Sequence, residues 1–198
     1  MDSTFEGGFA NPVFDAQTSF RAIMDALANP GTPRKLAETA LAQGPLKVEL
    51  ASTLLTLSDA DTHIWLSETL RTEPIEAFIA FHTGAPLTRD PGRATFAIVA
   101  SVDELPRFDE FNLGTQEYPD RSTTIVLAVP ALSGGADIVL RGPGVNDHWH
   151  CNPIGLPEDF LTQWVENREL FPRGIDLLLV ADGHVIGLPR STRISEGH

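Results

Sequence analysis

Basic residues are scarce in this sequence. Only 14 lysines and arginines stand against 27 aspartates and glutamates in 198 residues, giving a formal charge of −13. A basic footprint for nucleic acid or an anionic membrane is therefore missing, and a polyanionic ligand must be met at a local positive spot or through a metal ion. Lysine occurs only as Lys35 and Lys47, both in the first quarter of the chain. Cysteine occurs once, as Cys151, which excludes an internal disulfide and any iron–sulfur cluster held by this chain alone. No apolar run approaches the roughly 20 residues that span a bilayer. MDSTFEGGFANP has no basic segment ahead of an apolar one, so it does not read as a secretory signal. The expectation is a soluble cytoplasmic protein that binds neither nucleic acid nor membrane. With 42% apolar and 21% charged residues, residues 1–198 are expected to form one domain and to bury about 70% of the unfolded surface.

The named phosphate-binding motifs are also absent. In LSGGADIVLRGPGV, residues 132–145, no lysine follows Gly134 or Gly135 as the G-x-x-x-x-G-K-[ST] loop requires. Gly142-Pro143-Gly144 has Asp147 where G-x-G-x-x-G needs its third glycine. Ser133 lies outside any G-x-S-x-G elbow, so a serine hydrolase has no support. The stretch reads instead as a turn at Ser133-Gly134-Gly135, an apolar run Ile138-Val139-Leu140, and a second break at Gly142-Pro143-Gly144.

Periodicity supplies the secondary structure. Asp15 is placed to cap a helix with Phe20, Ile23, Met24 and Leu27 inward, stopped by Asn29-Pro30-Gly31. A second helix is expected over residues 46–58 with Leu50, Leu54 and Leu57 on one stripe. Thr72 starts a third, with Pro74 in its first turn and Ile75, Phe78 and Ile79 inward. Pro157, Glu158 and Asp159 suit the start of a fourth, burying Phe160, Leu161, Trp164 and Val165. Residues 63–66, 94–100 and 123–129 read as strands, and 101–111 as a weak helix or loop. The runs Thr123–Val129 and Ile138–Leu140 are expected to pair or to neighbour each other. Asp182-Gly183 between two apolar runs is a hairpin signal. Helices alternating with strands early, and hairpins late, give an α/β class with a mixed sheet.

Candidate chemistry is dispersed. His148 and His150 would share a strand face beside Cys151, with metal-ligating side chains, but no second ligand pair accompanies them; the expectation is a solvated or interface patch and no metal. Asp59 and Asp61 sit on a turn, where carboxylates hold Mg²⁺ or simply shape the chain. His82 ends the third helix, either facing its negative pole or facing a cleft as an acid/base. Arg141, Arg173, Arg190 and Arg193 all fall near strand ends, where they could gather as a positive spot for a triphosphate or remain in salt bridges.

The order of segments is more specific than any one of them. NPVFDAQTSFRAIMDALANPGTP, LLTLSDADTHIWL, FHTGAP, ATFAIV, LSGG followed by LRGPGV, FPRGIDLLLV and IGLPRST together resemble the PhnH family, over residues 11–194. That resemblance implies a subunit of the carbon–phosphorus lyase system of phosphonate catabolism. It implies a three-layer, mixed-sheet domain similar to the large domain of the pyridoxal-phosphate-dependent transferases, without pyridoxal phosphate. It also implies partners of the PhnG, PhnI, PhnJ and PhnL type, a homodimer when isolated, and MgATP as a substrate of the complex. No catalytic residues come with it. His82, Arg141, Arg173 and Arg190 remain as candidates for contacting substrate or partner.

Overall fold

The computed structural model describes residues 7–38 and 44–197. Four α-helices are formed by Pro12–Ala28 (α1), Val48–Leu57 (α2), Glu73–Thr83 (α3) and Phe160–Glu169 (α4). The first five strands are Arg34–Lys35 (β1), Ile64–Leu66 (β2), Leu87–Thr88 (β3), Phe96–Val99 (β4) and Thr124–Ala128 (β5). The later five are Ile138–Arg141 (β6), Trp149–Cys151 (β7), Asp176–Ala181 (β8), His184–Leu188 (β9) and Arg193–Glu196 (β10). Seven of them make one sheet in the order β1-β9-β8-β5-β4-β2-β3. Its pairings are parallel except those that β9 makes with β8 and β1. A second sheet has the order β10-β6-β7 and is antiparallel throughout.

Side-chain alternation along the central strands divides the interior in two. Leu178, Val180, Val126, Ala128 and Ile98 meet Ile23 of α1, Leu50 and Leu54 of α2, and Phe78 and Ile79 of α3. Leu177, Leu179, Ile125, Leu127 and Ala97 meet Phe160 and Trp164 of α4 and Ile138, Leu140 and Ile194 of the small sheet. The large sheet is thus the middle of three layers, with helices on one face and α4 plus the small sheet on the other. Hairpin β8–β9 turns at Asp182 and Gly183, both at positive φ (50° and 72°), as the mirror-image tight turn demands.

Four expectations fail for physical reasons. Strands β5 and β6 are not neighbours. Both edges of β5 are taken by β4 and β8, so the glycine turn carries the chain out of the large sheet and into the small one. The crossing is held by the Ala131↔Ile154 bridge and by the Gly135 amide, which donates to the Asn152 carbonyl at 2.7 Å. On α1, Ile23 is buried, but Phe20 and Met24 are 48% and 40% exposed while Ser19 and Ala26 turn inward. A Cβ on Gly187 of β9 would lie 2.7 Å from the Ala26 backbone, so this close approach selects small residues and rotates the bulky ones outward. The same helix begins at Pro12 behind Asn11, and Asp15 accepts a hydrogen bond from the Asn11 amide from inside the first turn. On α4, Val165 is 51% exposed. Gln163 and Asn167 face inward instead, the former accepting from the Phe108 amide and the latter bonding both backbone groups of Ile175. Residues 101–111 form two short 3₁₀ turns, Val102–Glu104 and Phe108–Glu110.

Gly134 has φ 99°, and a Cβ on Gly135 would stand 2.3 Å from the Pro153 carbonyl oxygen. Gly135→Val must push two backbone segments apart, so denaturant titration is expected to show a loss of about 1–3 kcal/mol. A wild-type midpoint in that variant would contradict the close approach.

Candidate functional site

The four arginines near strand ends separate according to whether a carboxylate claims them. Arg190, just past β9, donates from its backbone amide and Nε to Asp176 Oδ1, at 2.7 and 3.1 Å. Its Nη2 bonds Asp176 Oδ2, and Nη1 donates to the Pro119 carbonyl at 2.7 Å. With both side chains largely buried, this fork ties the start of β8 to two loops. Arg173 lies in the loop before β8, half-buried, and its Nε finds no partner. Arg141 and Arg193 behave differently. Strand register places them directly opposite each other on β6 and β10. Both are exposed, and neither has a carboxylate partner among the described residues. Like charges at directly opposed positions repel, so this pair favours an external anion. The four residues therefore differ in what is left free: Asp176 takes up Arg190, while Arg141 and Arg193 face each other unclaimed.

The loop after Arg141 is fixed from beneath. A Cβ on Gly144, at φ 79°, would collide with the Ala28 carbonyl, and the Trp149 indole N–H donates to the Gly31 carbonyl at 3.3 Å. Two segments of the sequence signature, ANPG and LRGPG, are thereby brought together.

His148 and His150 do lie together, with ring centroids 5.4 Å apart. Each Nδ1 is engaged by a carboxylate at 2.7 Å, Asp147 for His148 and Asp137 for His150. Cys151 is buried on the other face, and burial first, then the charge of Asp137, pushes its thiol up to about 12. It is a protonated core residue at neutral pH. Among the described residues no three of His, Cys, Asp and Glu are grouped to hold a metal ion. Asp59 accepts from the Asp61 amide at 3.0 Å within a turn also held by Thr62. His82, in the last turn of α3, packs tilted on Phe78 and edge-on to Phe81 at 4.5 and 5.0 Å. Its Nε2 is buried without a hydrogen bond, and desolvation lowers its pKa from 6.5.

Sequence reasoning missed a second group of residues, at the carboxyl ends of β2 and β3. Here a small pocket of about 140 Å³ is lined by Leu66, Arg71, Glu76, Leu87, Thr88 and Arg89. Arg71 belongs to no motif; the signal available in the sequence was its position shortly after the apolar run HIWL, where the side chain can fold back onto Trp65. Chain connections leave β2 and β4 in opposite directions, and open α/β sheets favour ligands at such switch points. Between β2 and β4, however, the crevice is closed. The Ala100 amide donates to Ser67 Oγ at 3.1 Å, and Thr69 is tied to Glu104 through its amide and hydroxyl. Burial alone would raise the Glu104 pKa, but hydrogen bonds from Thr69, Ser67 and Glu68 outweigh it and hold the group below its usual value.

A chain with this fold, its free arginines displayed on a small second sheet, is similar in sequence to bacterial proteins of phosphonate metabolism. The model of the bacterial phosphonate metabolism protein family PhnH matches residues 7–195. The chain belongs to the PhnH family. It is 46% identical, across 96% of its length and 95% of the relative's, to the alpha-D-ribose 1-methylphosphonate 5-triphosphate synthase subunit PhnH of Rhizobium meliloti (strain 1021). It is 28% identical, across 90% of its length and 85% of the relative's, to HtxG of Stutzerimonas stutzeri, whose name assigns it provisionally to the C-P lyase. No helix among the described residues is long and apolar enough to cross a membrane.

Two outcomes follow from this geometry. Arg190→Met leaves Asp176 without its partner and is expected to cost roughly 3 kcal/mol in denaturant titrations, whereas Arg141→Ala should leave the melting temperature unchanged. Equal stability of the two variants would refute the division between claimed and free arginines. The folded state resists protonating His82, so its contribution is intact above pH 6.5 and is lost as pH falls through that value, where the unfolded chain takes up the proton first. His82→Phe is expected to flatten the fall in denaturation midpoint between pH 7.5 and about 5.5; an unchanged slope counts against it.

Proposed function

We propose that the chain is a subunit of the carbon–phosphorus lyase system and acts in the cytoplasm in the synthesis of α-D-ribose 1-methylphosphonate 5-triphosphate. In this reading an alkylphosphonate displaces adenine from the ribose C1′ of MgATP, which is a substrate of the assembled complex. The carrying observation is 46% identity over 96% of the chain to a relative bearing that synthase name. Partners of the PhnG, PhnI, PhnJ and PhnL type complete the machinery. This chain serves as a scaffold or as a contributor to a shared active site, and is inactive alone. The exposed Arg141–Arg193 pair supports a partner or substrate contact, because its positive charge has no carboxylate partner among the described residues. Exposed Phe14, Phe20 and Met24 on α1 offer apolar surface for pairing with a second copy when the protein is isolated.

We further infer that the single domain resembles the large domain of the pyridoxal-phosphate-dependent transferases; a mostly parallel seven-stranded sheet between two covering layers supports that likeness. The residues present do not fit the cofactor. Lys35 on β1 and Lys47 just ahead of α2 are both exposed, and a Schiff-base lysine must be enclosed beside its ring.

The alternative is a stand-alone nucleotide- or phosphonate-binding transferase, favoured by the pocket beside Arg71. Adenine release from MgATP and methylphosphonate, followed by chromatography, separates the two. The isolated chain should release none, the reconstituted subunits should release it, and omission of this chain should abolish release. Turnover by the chain alone would establish the alternative.

A further inference from the structure

The pocket beside β2 and β3 is built around an arginine that the fold holds in place. Arg71 is 13% exposed in its side chain, donates from Nε to the Leu66 carbonyl at 2.8 Å, and lies over the Trp65 ring at 5.4 Å. Glu68 is its nearest carboxylate, at 3.9 Å from Nε, too far for a hydrogen bond. No described residue accepts a hydrogen bond from its Nη nitrogens, so the outer edge of the fork is available where the side chain lines the cavity. Arg89 enters the same lining from the end of β3, exposed and without a carboxylate partner among the described residues. Thr88 is occupied in its own turn with Asp90. Glu76, from the first turn of α3, is the single negative side chain in the lining. Within the lining two guanidinium groups face one carboxylate, with the exposed Glu68 outside it at 3.9 Å from Arg71, in a chain whose overall charge is −13.

We propose that this pocket is a subsite for a compact phosphorus oxyanion, phosphate or alkylphosphonate. Its volume of about 140 Å³ holds one tetrahedral headgroup and not a whole nucleotide. Planar guanidinium forks match the spacing of oxygens on phosphorus, and two of them balance a dianion, whereas a carboxylate needs only one. Arg71 needs little ordering on binding, because the Leu66 carbonyl and the Trp65 ring already fix it. Interest in phosphonate rests on the function proposed above; the oxyanion subsite rests on the geometry alone.

The test is a ³¹P NMR titration of the full-length chain with methylphosphonate and with inorganic phosphate, using acetate as competitor. Wild type should bind both phosphorus anions and bind acetate more weakly. Arg89→Ala should weaken binding about tenfold without lowering the melting temperature, since Arg89 supports nothing else. Arg71→Lys keeps the charge and loses the fork, and should weaken binding similarly. Glu76→Gln should tighten it. A preference for phosphate assigns the subsite to a nucleotide phosphate, and a preference for methylphosphonate assigns it to the phosphonate; either supports the proposal. No binding by wild type, acetate competing as well as phosphate, or unchanged affinity in both arginine variants overturns it. Because the isolated chain is titrated, a failed synthase assay would leave this result standing.

Discussion

Strands β5 and β8 lie side by side with both faces covered, and the rest of the molecule is arranged to satisfy them. Their parallel register pairs Ile125 with Leu177 and Leu127 with Leu179 on one side, and Val126 with Leu178 on the other. Side chains of period two must then fill two cores at once, so the sequence has to supply a separate cover for each face. Helices α1 to α3 cover one. The other is covered by α4 and by a second sheet whose inner residues, Ile138, Leu140 and Ile194, are apolar. At the amino end of β8 the backbone would leave the sheet beside loose loops, and Arg190 prevents this by gripping Asp176 and the Pro119 carbonyl together.

That arrangement explains which parts of the fold could be read directly. Elements whose signal is local were legible: the Asp182-Gly183 hairpin, the buried face of α3, and the central strands with both faces apolar. The glycine turn at residues 133–135 misled because a chain leaving one sheet for another uses the same residues as a chain folding back on its partner. Only the competition for the two edges of β5 decides between them, and that depends on β4 and β8, at opposite distances in sequence. On α1 the apolar residues Phe20 and Met24 looked inward by spacing. Gly187, far along the chain, settled the matter by admitting the helix backbone so closely that Ser19 and Ala26 became the inner face.

The candidate site was less legible, for an electrostatic reason. Sequence places an arginine near a strand end, but whether it is free depends on carboxylates brought to it by the fold. Arg34 is claimed by Asp25, Arg107 by Asp109, Asp159 and Glu166, and Arg190 by Asp176. In a chain so rich in acids, an arginine without a carboxylate partner is the more informative one. Among the described residues Arg141, Arg193 and Arg89 have none; the first two stood among the candidates read from the sequence, and Arg89 did not. Membership of the PhnH family, in contrast, was readable from seven segments in order, two of which the fold presses together where Gly144 meets Ala28.

The arginines of the two candidate sites occupy different elements. Arg141 and Arg193 lie on the small sheet, which packs over one face of the large one, whereas Arg71 and Arg89 frame the carboxyl ends of β2 and β3 at its far edge. The first pair is displayed on open strands, a geometry suited to a broad partner surface that supplies its own carboxylates. The second is recessed around a cavity of one headgroup's size, a geometry suited to a small ligand. The two groups are thus carried by different elements of the fold. Scaffolding and contribution to a shared active site are therefore compatible duties for one chain. On the reading proposed above, the physical distinction between them is local: contact with a partner would depend on the charge of the small sheet, and contact with a ligand on the fork that Trp65 and the Leu66 carbonyl hold in place.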